Sequence, residues 1–309
     1  GLLILLLAGD SLVRGAVNIS LRLGVPALNV SLTIVAFGTS APELLISVKA
    51  IKDGVPGIAL GNVVGSNTAN VLLVLGLPAL LVGPHTSECE TRTSHPMMLG
   101  ATFLFIALCF AGPLTWWHGL ILLAILALSL SDQFRQALVH RRSCGEDEEP
   151  EGADPDMAWW KIGLFTVLGL IGLPLGADLL IDSSIELARD FGVSETVIGL
   201  TLIAIGTSLP ELATTVMAAY RRQADVALGN VIGSNLFNLL AIIGIATLVG
   251  PIPVGRNFLD FDLWVMLGAS LLLVPFVFSN TRDMTRGWGI LLTVAYVAYL
   301  WLVAMQGQV

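Results

Sequence analysis

Gly38-Thr39-Ser40-Ala41-Pro42-Glu43-Leu44 is written again as Gly206-Thr207-Ser208-Leu209-Pro210-Glu211-Leu212, 168 positions further on. The same offset carries Ala59-Leu60-Gly61-Asn62-Val63-Val64-Gly65-Ser66-Asn67 onto Ala227-Leu228-Gly229-Asn230-Val231-Ile232-Gly233-Ser234-Asn235. It also maps Asn70 onto Asn238 and Asp10 onto Asp178, with no insertion or deletion between the pairs. Shared apolar composition does not produce such matches, because the identical positions are mostly Gly, Asn, Ser, Thr, Pro and Glu. The chain is one unit written twice, and the sequence around the motifs says what kind of unit.

Of 309 residues, 55% are apolar and 12% charged, about half the charged share of an ordinary soluble domain, and the mean hydropathy is +0.84. A soluble enzyme is excluded; the chain belongs in a membrane, where roughly 20 apolar residues make one helical crossing. Hydropathy places spans near 2–22, 27–52, 57–82, 96–112 and 115–134, and again near 159–188, 194–220, 226–250, 259–279 and 286–306. The expected fold is an all-α membrane protein of ten transmembrane helices. Residues 1–135 form a first five-helix repeat, 136–158 a linker and 159–309 a second repeat. Five crossings are an odd number, so the second unit starts on the opposite side of the membrane and the repeats are inverted, as in secondary transporters. Gly1 to Ala8 run straight on into more span without a cleavage-site pattern, and read as part of the first span rather than a removable leader.

Charge then orients the chain. Lys49, Lys52, Arg189 and Arg256 fall on the side of the N-terminus, and the other eleven Lys and Arg on the opposite side, which the positive-inside rule makes cytoplasmic. Both termini are expected outside a multi-pass cell (inner) membrane protein. The net charge of −8 comes largely from the stretch between Glu146 and Asp156 in the linker, expected to be cytoplasmic. This run reads as a solvated connector, with a regulatory calcium site as the alternative. No nucleic-acid partner is indicated, and no obligatory protein partner is evident. Cys89, Cys109 and Cys144 lack the spacing of a disulfide framework or a zinc site. His85, His95, His118 and His140 have no counterparts in the repeat and read as loop or packing residues.

Glu43 and Glu211 sit near the middle of apolar spans, where an unpaired carboxylate costs at least a few kcal/mol and demands a partner or a proton. Neither has a Lys or Arg nearby on its own helix face. Pro42 cannot donate to the Gly38 carbonyl, nor Pro210 to that of Gly206, so each motif should break its helix and free carbonyl oxygens. Thr39 and Ser40 lie four and three residues before Glu43, which puts both hydroxyls beside the carboxylate; Thr207, Ser208 and Glu211 repeat the arrangement. In the next span Asn62, Ser66 and Asn70 form a polar stripe beside Gly61 and Gly65, repeated by Asn230, Ser234 and Asn238 beside Gly229 and Gly233. The glycines read as close helix packing. Two carboxylates with amide and hydroxyl oxygens suit a hard cation that takes six to eight oxygens, the chemistry of Ca²⁺ rather than of zinc or copper. Two negative charges offset one Ca²⁺, or are satisfied by Na⁺ or protons. A site that never crosses empty makes exchange obligatory.

With these residues in view, the chain resembles the cation/calcium exchanger superfamily, and within it the prokaryotic sodium/calcium exchangers. The resemblance covers essentially the whole chain and rests on the two motifs quoted. It implies an antiporter, not an enzyme, that exchanges Ca²⁺ against Na⁺ by alternating access and electrogenically. Its substrates bind as ions, with no other cofactor. It implies ligands from Glu43, Glu211, Thr39, Thr207, Ser40, Ser208, Ser66, Ser234, Asn70 and Asn238, with the Ala36 and Ala204 carbonyls added at the breaks. It also implies that the first and sixth spans slide against the rest. Some relatives carry Asp at the position of Asn70 or Asn238; both are Asn here, which makes the site less negative and argues against potassium co-transport.

Three readings compete with this one. A calcium/proton exchanger of the same fold would use the glutamates as proton carriers, and the extra hydroxyls weigh against it. An intramembrane enzyme would need an Asp dyad or a Ser/His pair, and a passive channel would not need the duplication. Asp10 and Asp178 are duplicated acids without a shared explanation: Asp10 has Arg14 one turn away, whereas Asp178 has Asp182.

Overall fold

Helices are the only regular elements that satisfy every backbone group within lipid short of a closed barrel, and the computed structural model is almost entirely helical. It describes residues 1–82, 94–143, 154, 156–190, 206–277 and 284–306. The helices are α1 (Leu2–Leu23), α2 (Ala27–Thr39), α3 (Ala41–Lys52), α4 (Pro56–Leu81), α5 (Ser94–Phe110) and α6 (Trp116–Ser143). They continue with α7 (Trp159–Asp190), α8 (Leu209–Tyr220), α9 (Ala224–Val249), α10 (Phe258–Val277) and α11 (Arg286–Gln306). Among the described residues seven helices are long and apolar enough to cross a membrane, or eight when the bent pair α2 and α3 is one span. Of the remaining spans expected from hydropathy, α5 has 17 residues, and most of what precedes α8 falls in 191–205, outside the described residues.

The breaks sit at the duplicated prolines. α2 and α3 meet at 43°, hinged on Ser40 with φ −85° and ψ 3°. Ser208, ahead of α8, has nearly the same backbone at φ −88° and ψ 6°. Prolines 42 and 210 occupy the first turn of the helix that follows, where a missing N–H costs nothing. Wider π-helical turns interrupt α4 at Asn70–Val74 and α9 at Phe237–Ile242; such turns shift the register of everything beyond them.

α4 and α9 are the most enclosed helices, whereas α6, α7 and α11 turn most of their surface outward. The main apolar core surrounds α4 and α9 with residues such as Leu60, Val63, Phe105, Ile232, Leu239 and Met266. α1 lies along α7, with Leu5, Ala8 and Leu12 at helical spacing against Leu173 and Ala177. Gly169, Gly172 and Gly176 of α7 face Leu12, Ala8 and Leu5, so small residues let these backbones approach closely. Close packing is also found for Gly229 and Gly233, which face the backbone of α2 at Leu28 and Leu32. Cys109 is a free, buried core thiol; Cys89 and Cys144 lie outside the described residues.

Candidate cation site

The hinges at Ser40 and Ser208 place Glu43 and Glu211 in the first turns of α3 and α8, and each is only 1% exposed. A helix start favours a carboxylate through its free N–H groups. The interval from Ser40 to Glu43 is that of a capping box, yet Ser40 makes no cap bond with its side chain. Its hydroxyl instead crosses to the other half of the chain and donates to Glu211 Oε1 at 3.1 Å. Thr39 crosses as well: its hydroxyl lies 3.2 Å from Asn230 Oδ1, which accepts from it, and 3.5 Å from Ser234 Oγ. The hydroxyls that sequence spacing assigned to the neighbouring glutamate therefore bond to groups 171, 191 and 195 residues away. The bend at Ser40 turns them off the face that a continuous helix would share with Glu43.

The asparagines do two different jobs. Asn62 Nδ2 donates to the Glu43 carbonyl at 3.1 Å and to Ser47 Oγ at 3.0 Å. Asn230 Nδ2 repeats this with the Glu211 carbonyl at 3.3 Å and Thr215 Oγ1 at 3.1 Å. These amides strap the glutamate-bearing helices to α4 and α9. Deeper in, Asn70 Nδ2 donates to Asn235 Oδ1 at 3.0 Å, and Asn238 Nδ2 to Asn67 Oδ1 at 2.9 Å. Each pair is the other displaced by 168 positions, so the two copies of the motif hold one another reciprocally. Asn67 and Asn235 stand outside the stripe read at intervals of four and were missed; their duplication within the quoted motif was the signal available.

With their amide groups engaged, Asn70 and Asn238 leave Oδ1 buried and without a donor. Glu43 Oε2, Glu211 Oε2 and Ser208 Oγ are in the same condition. Each such buried oxygen costs about 1–3 kcal/mol when left alone. Carboxylate and amide oxygens only accept, so a cation or a proton is what completes them. Among the described residues no group of three or more His, Cys, Asp and Glu could hold a metal ion. The donor set is thus two acids with neutral oxygens, which fits a hard cation better than a soft one.

The other expected site residues are placed as follows. Ser66 and Ser234 are buried on α4 and α9, and Thr207 is half-buried between Gly206 and the hinge. The Ala36 carbonyl already accepts from the Ser40 N–H at 3.0 Å and the Thr39 hydroxyl at 3.3 Å. An ion there would take over the lone pair that the hydroxyl uses. Ala204 lies outside the described residues. Asp10 bonds to Arg14 at 3.1 Å and also to Arg221 at the end of α8, while Asp178 is exposed on α7. The duplicated acids therefore do different things. His95 is buried with Nε2 3.0 Å from the Ser270 carbonyl, a packing contact between α5 and α10.

If Asn67 and Asn235 hold the inner amides, removing either strands a buried N–H group on its partner. Asn67→Ala and Asn235→Ala are each expected to lower thermal stability by about 1–3 kcal/mol and to weaken Ca²⁺ binding, measured by calorimetry on purified protein. Equal effects from the two variants would match their reciprocal bonds, and no effect from either would remove them from the site.

The apolar helices and the two enclosed acids fit an integral-membrane cation transporter. The sodium/calcium exchanger protein profile matches residues 1–134 and 161–305. The putative antiporter CaxA of Alkalimonas amylolytica is 34% identical, over 98% of this chain and 96% of its own length. The sodium/calcium exchanger MaX1 of Methanosarcina acetivorans is also 34% identical, over 97% and 95%. A solved structure of the sodium-calcium exchanger NCX_Mj, soaked with Na⁺ and Sr²⁺, aligns with a TM-score of 0.83 and 30% identity over 97% of this chain and 95% of that one. The chain belongs to the sodium/calcium exchanger family, as a cation/calcium antiporter of the prokaryotic type.

Proposed function

We propose that the chain exchanges Ca²⁺ against Na⁺ across the cell membrane by alternating access, moving net charge in each cycle. The observation that carries this reading is the set of five buried oxygens without donors, on Glu43, Glu211, Asn70, Asn238 and Ser208. Around them Thr39, Ser40, Ser66, Thr207 and Ser234 complete the ligand set, with the Ala36 and Ala204 carbonyls joining where the helices break. A proton carrier needs only the two acids; this many neutral oxygens supports cation sites for Na⁺ as well as Ca²⁺. Two carboxylates neutralise one Ca²⁺, and the unloaded site leaves two negative charges in low dielectric. The desolvation cost of that state opposes crossing and couples the two ions.

The architecture proposed is ten spans in two inverted repeats, 1–135 and 159–309, joined by a cytoplasmic linker at 136–158, with both termini outside. Contacts near the ends of the spans support it. Leu114 and Ile252 pair through two backbone bonds of 2.9 and 2.8 Å, and both fall on the proposed outer side. Arg22 donates to the Met157 carbonyl at 2.7 Å and the Asp154 N–H to Asn18 Oδ1 at 2.9 Å, all on the inner side. α1 and α7 are packed on each other through small residues, which suits their moving as one pair past the site.

Purified protein reconstituted into liposomes tests the coupling. Ca²⁺ uptake is expected when internal Na⁺ is high and external Na⁺ is absent, with pH clamped, and it should respond to an imposed membrane potential. Uptake that needs a pH gradient and ignores Na⁺ would overturn sodium coupling in favour of proton exchange.

A further inference from the structure

A crevice of about 690 Å³ lies apart from the acid pair, at the face where α4 and α8 end and α11 begins, and it falls in the size range of ligand pockets. Its walls include Leu6, Leu81, Val216 and Met217, with Arg222 and Arg286 in the lining and, among the described residues, no carboxylate. Both arginines are exposed. Among the described residues neither is paired with an acid, in contrast to Arg14 and Arg221, which are engaged by Asp10.

Arg222 is held at this position against the preference of its own backbone. α8 closes with the Gln223 N–H on the Ala218 carbonyl at 2.8 Å and the Arg222 N–H on that of Ala219 at 3.0 Å. This pairing puts Arg222 in the left-handed region, with φ 58°. The first copy of the motif makes the same two bonds from Val55 to Ala50 and from Gly54 to Ile51, and there the left-handed residue is Gly54, with φ 78°. Glycine is the unstrained solution at such a cap. The second copy carries an arginine there, and its side chain lines the crevice.

We propose that this crevice binds an anionic phospholipid, with the phosphate between Arg222 and Arg286 and an acyl chain along Leu6, Val216 and Met217. Two cations without an acidic partner among the described residues, next to an apolar wall, complement a negatively charged headgroup with its chain. A soluble phosphate would leave the wall uncovered, and a zwitterionic lipid would leave the cations uncompensated.

Native mass spectrometry of the full chain in detergent, titrated with phosphatidylglycerol or phosphatidylcholine of matched acyl chains, tests the proposal. The wild type should retain phosphatidylglycerol with at least tenfold preference, since one arginine at a membrane surface is worth roughly fivefold. Arg222→Gly restores the residue of the first copy, so it should melt at the same temperature or higher while losing about fivefold of the preference. Arg286→Gln should lose a similar amount, and the double variant should bind both lipids alike. Glycerol 3-phosphate, the headgroup without chains, should not compete. Equal retention of both lipids by the wild type would overturn the proposal. So would an undiminished preference in the double variant, or displacement by glycerol 3-phosphate, which would make the crevice a site for soluble anions.

Discussion

Glu43→Gln is expected to abolish Ca²⁺ uptake into liposomes under an outward Na⁺ gradient, and so is Glu211→Gln. In the proposed site each removes one of two buried charges that would together neutralise a divalent ion. The remaining carboxylate leaves an uncompensated positive charge in the protein interior. Breaking a buried ion pair from one side costs about 3–5 kcal/mol, which is a loss of roughly 10²–10⁴-fold in Ca²⁺ affinity. The amide is nearly the same size as the carboxyl, so packing around these residues, each 1% exposed, is preserved. Both variants should melt no lower than the wild type in Ca²⁺-free buffer, because a pair of buried acids has been reduced to one. The wild type alone should gain stability on adding Ca²⁺. Flux near the wild-type rate in either variant would take that residue out of the cation site.

Gly233→Val is expected to be nearly as damaging, by a different route. A Cβ built on Gly233 meets the Leu32 carbonyl and Ala36 Cβ at 2.6 Å each, so α9 and α2 can no longer approach. Overpacking of this kind costs typically 1–3 kcal/mol. The displaced segment carries Thr39 and Ser40, whose hydroxyls reach across to Ser234 and Glu211. Uptake should fall at least tenfold while Gly233→Ala lies between it and the wild type. Gly163→Ala is the control, since a methyl group there meets nothing within 4 Å. Normal uptake by Gly233→Val in protein of normal melting temperature would show that this contact does not set the site.

Much of the molecule was legible because the membrane makes polar residues conspicuous. Glu43, Asn70, Glu211 and Asn238 stand out in apolar spans, and the duplication singles them out twice. The prolines marked the helix breaks, since a missing N–H is a property of the residue itself. Other features were out of reach for definite reasons. Asn67 and Asn235 bond across the two halves, and spacing along one helix carries no information about a partner 165 or 171 residues away. The π-helical turns at Asn70–Val74 and Phe237–Ile242 alter the register on which a stripe of every fourth residue depends. Asp10 and Asp178 are equivalent in the repeat, yet Arg221 reaches only Asp10. Arg222 occupies a cap that its counterpart Gly54 fills without strain, and no rule of local preference would have put an arginine there.

The amino-acid sequence alone determined that this is a duplicated, helical membrane protein with an acid in the middle of each copy, because composition, offset and proline chemistry are properties of the chain before it folds. Which hydroxyl serves which glutamate was decided only by the tertiary structure. Spacing assigned Ser40 to Glu43, and folding gave it to Glu211, because in a low-dielectric interior a donor bonds to whichever acceptor packing brings within reach, however distant along the chain.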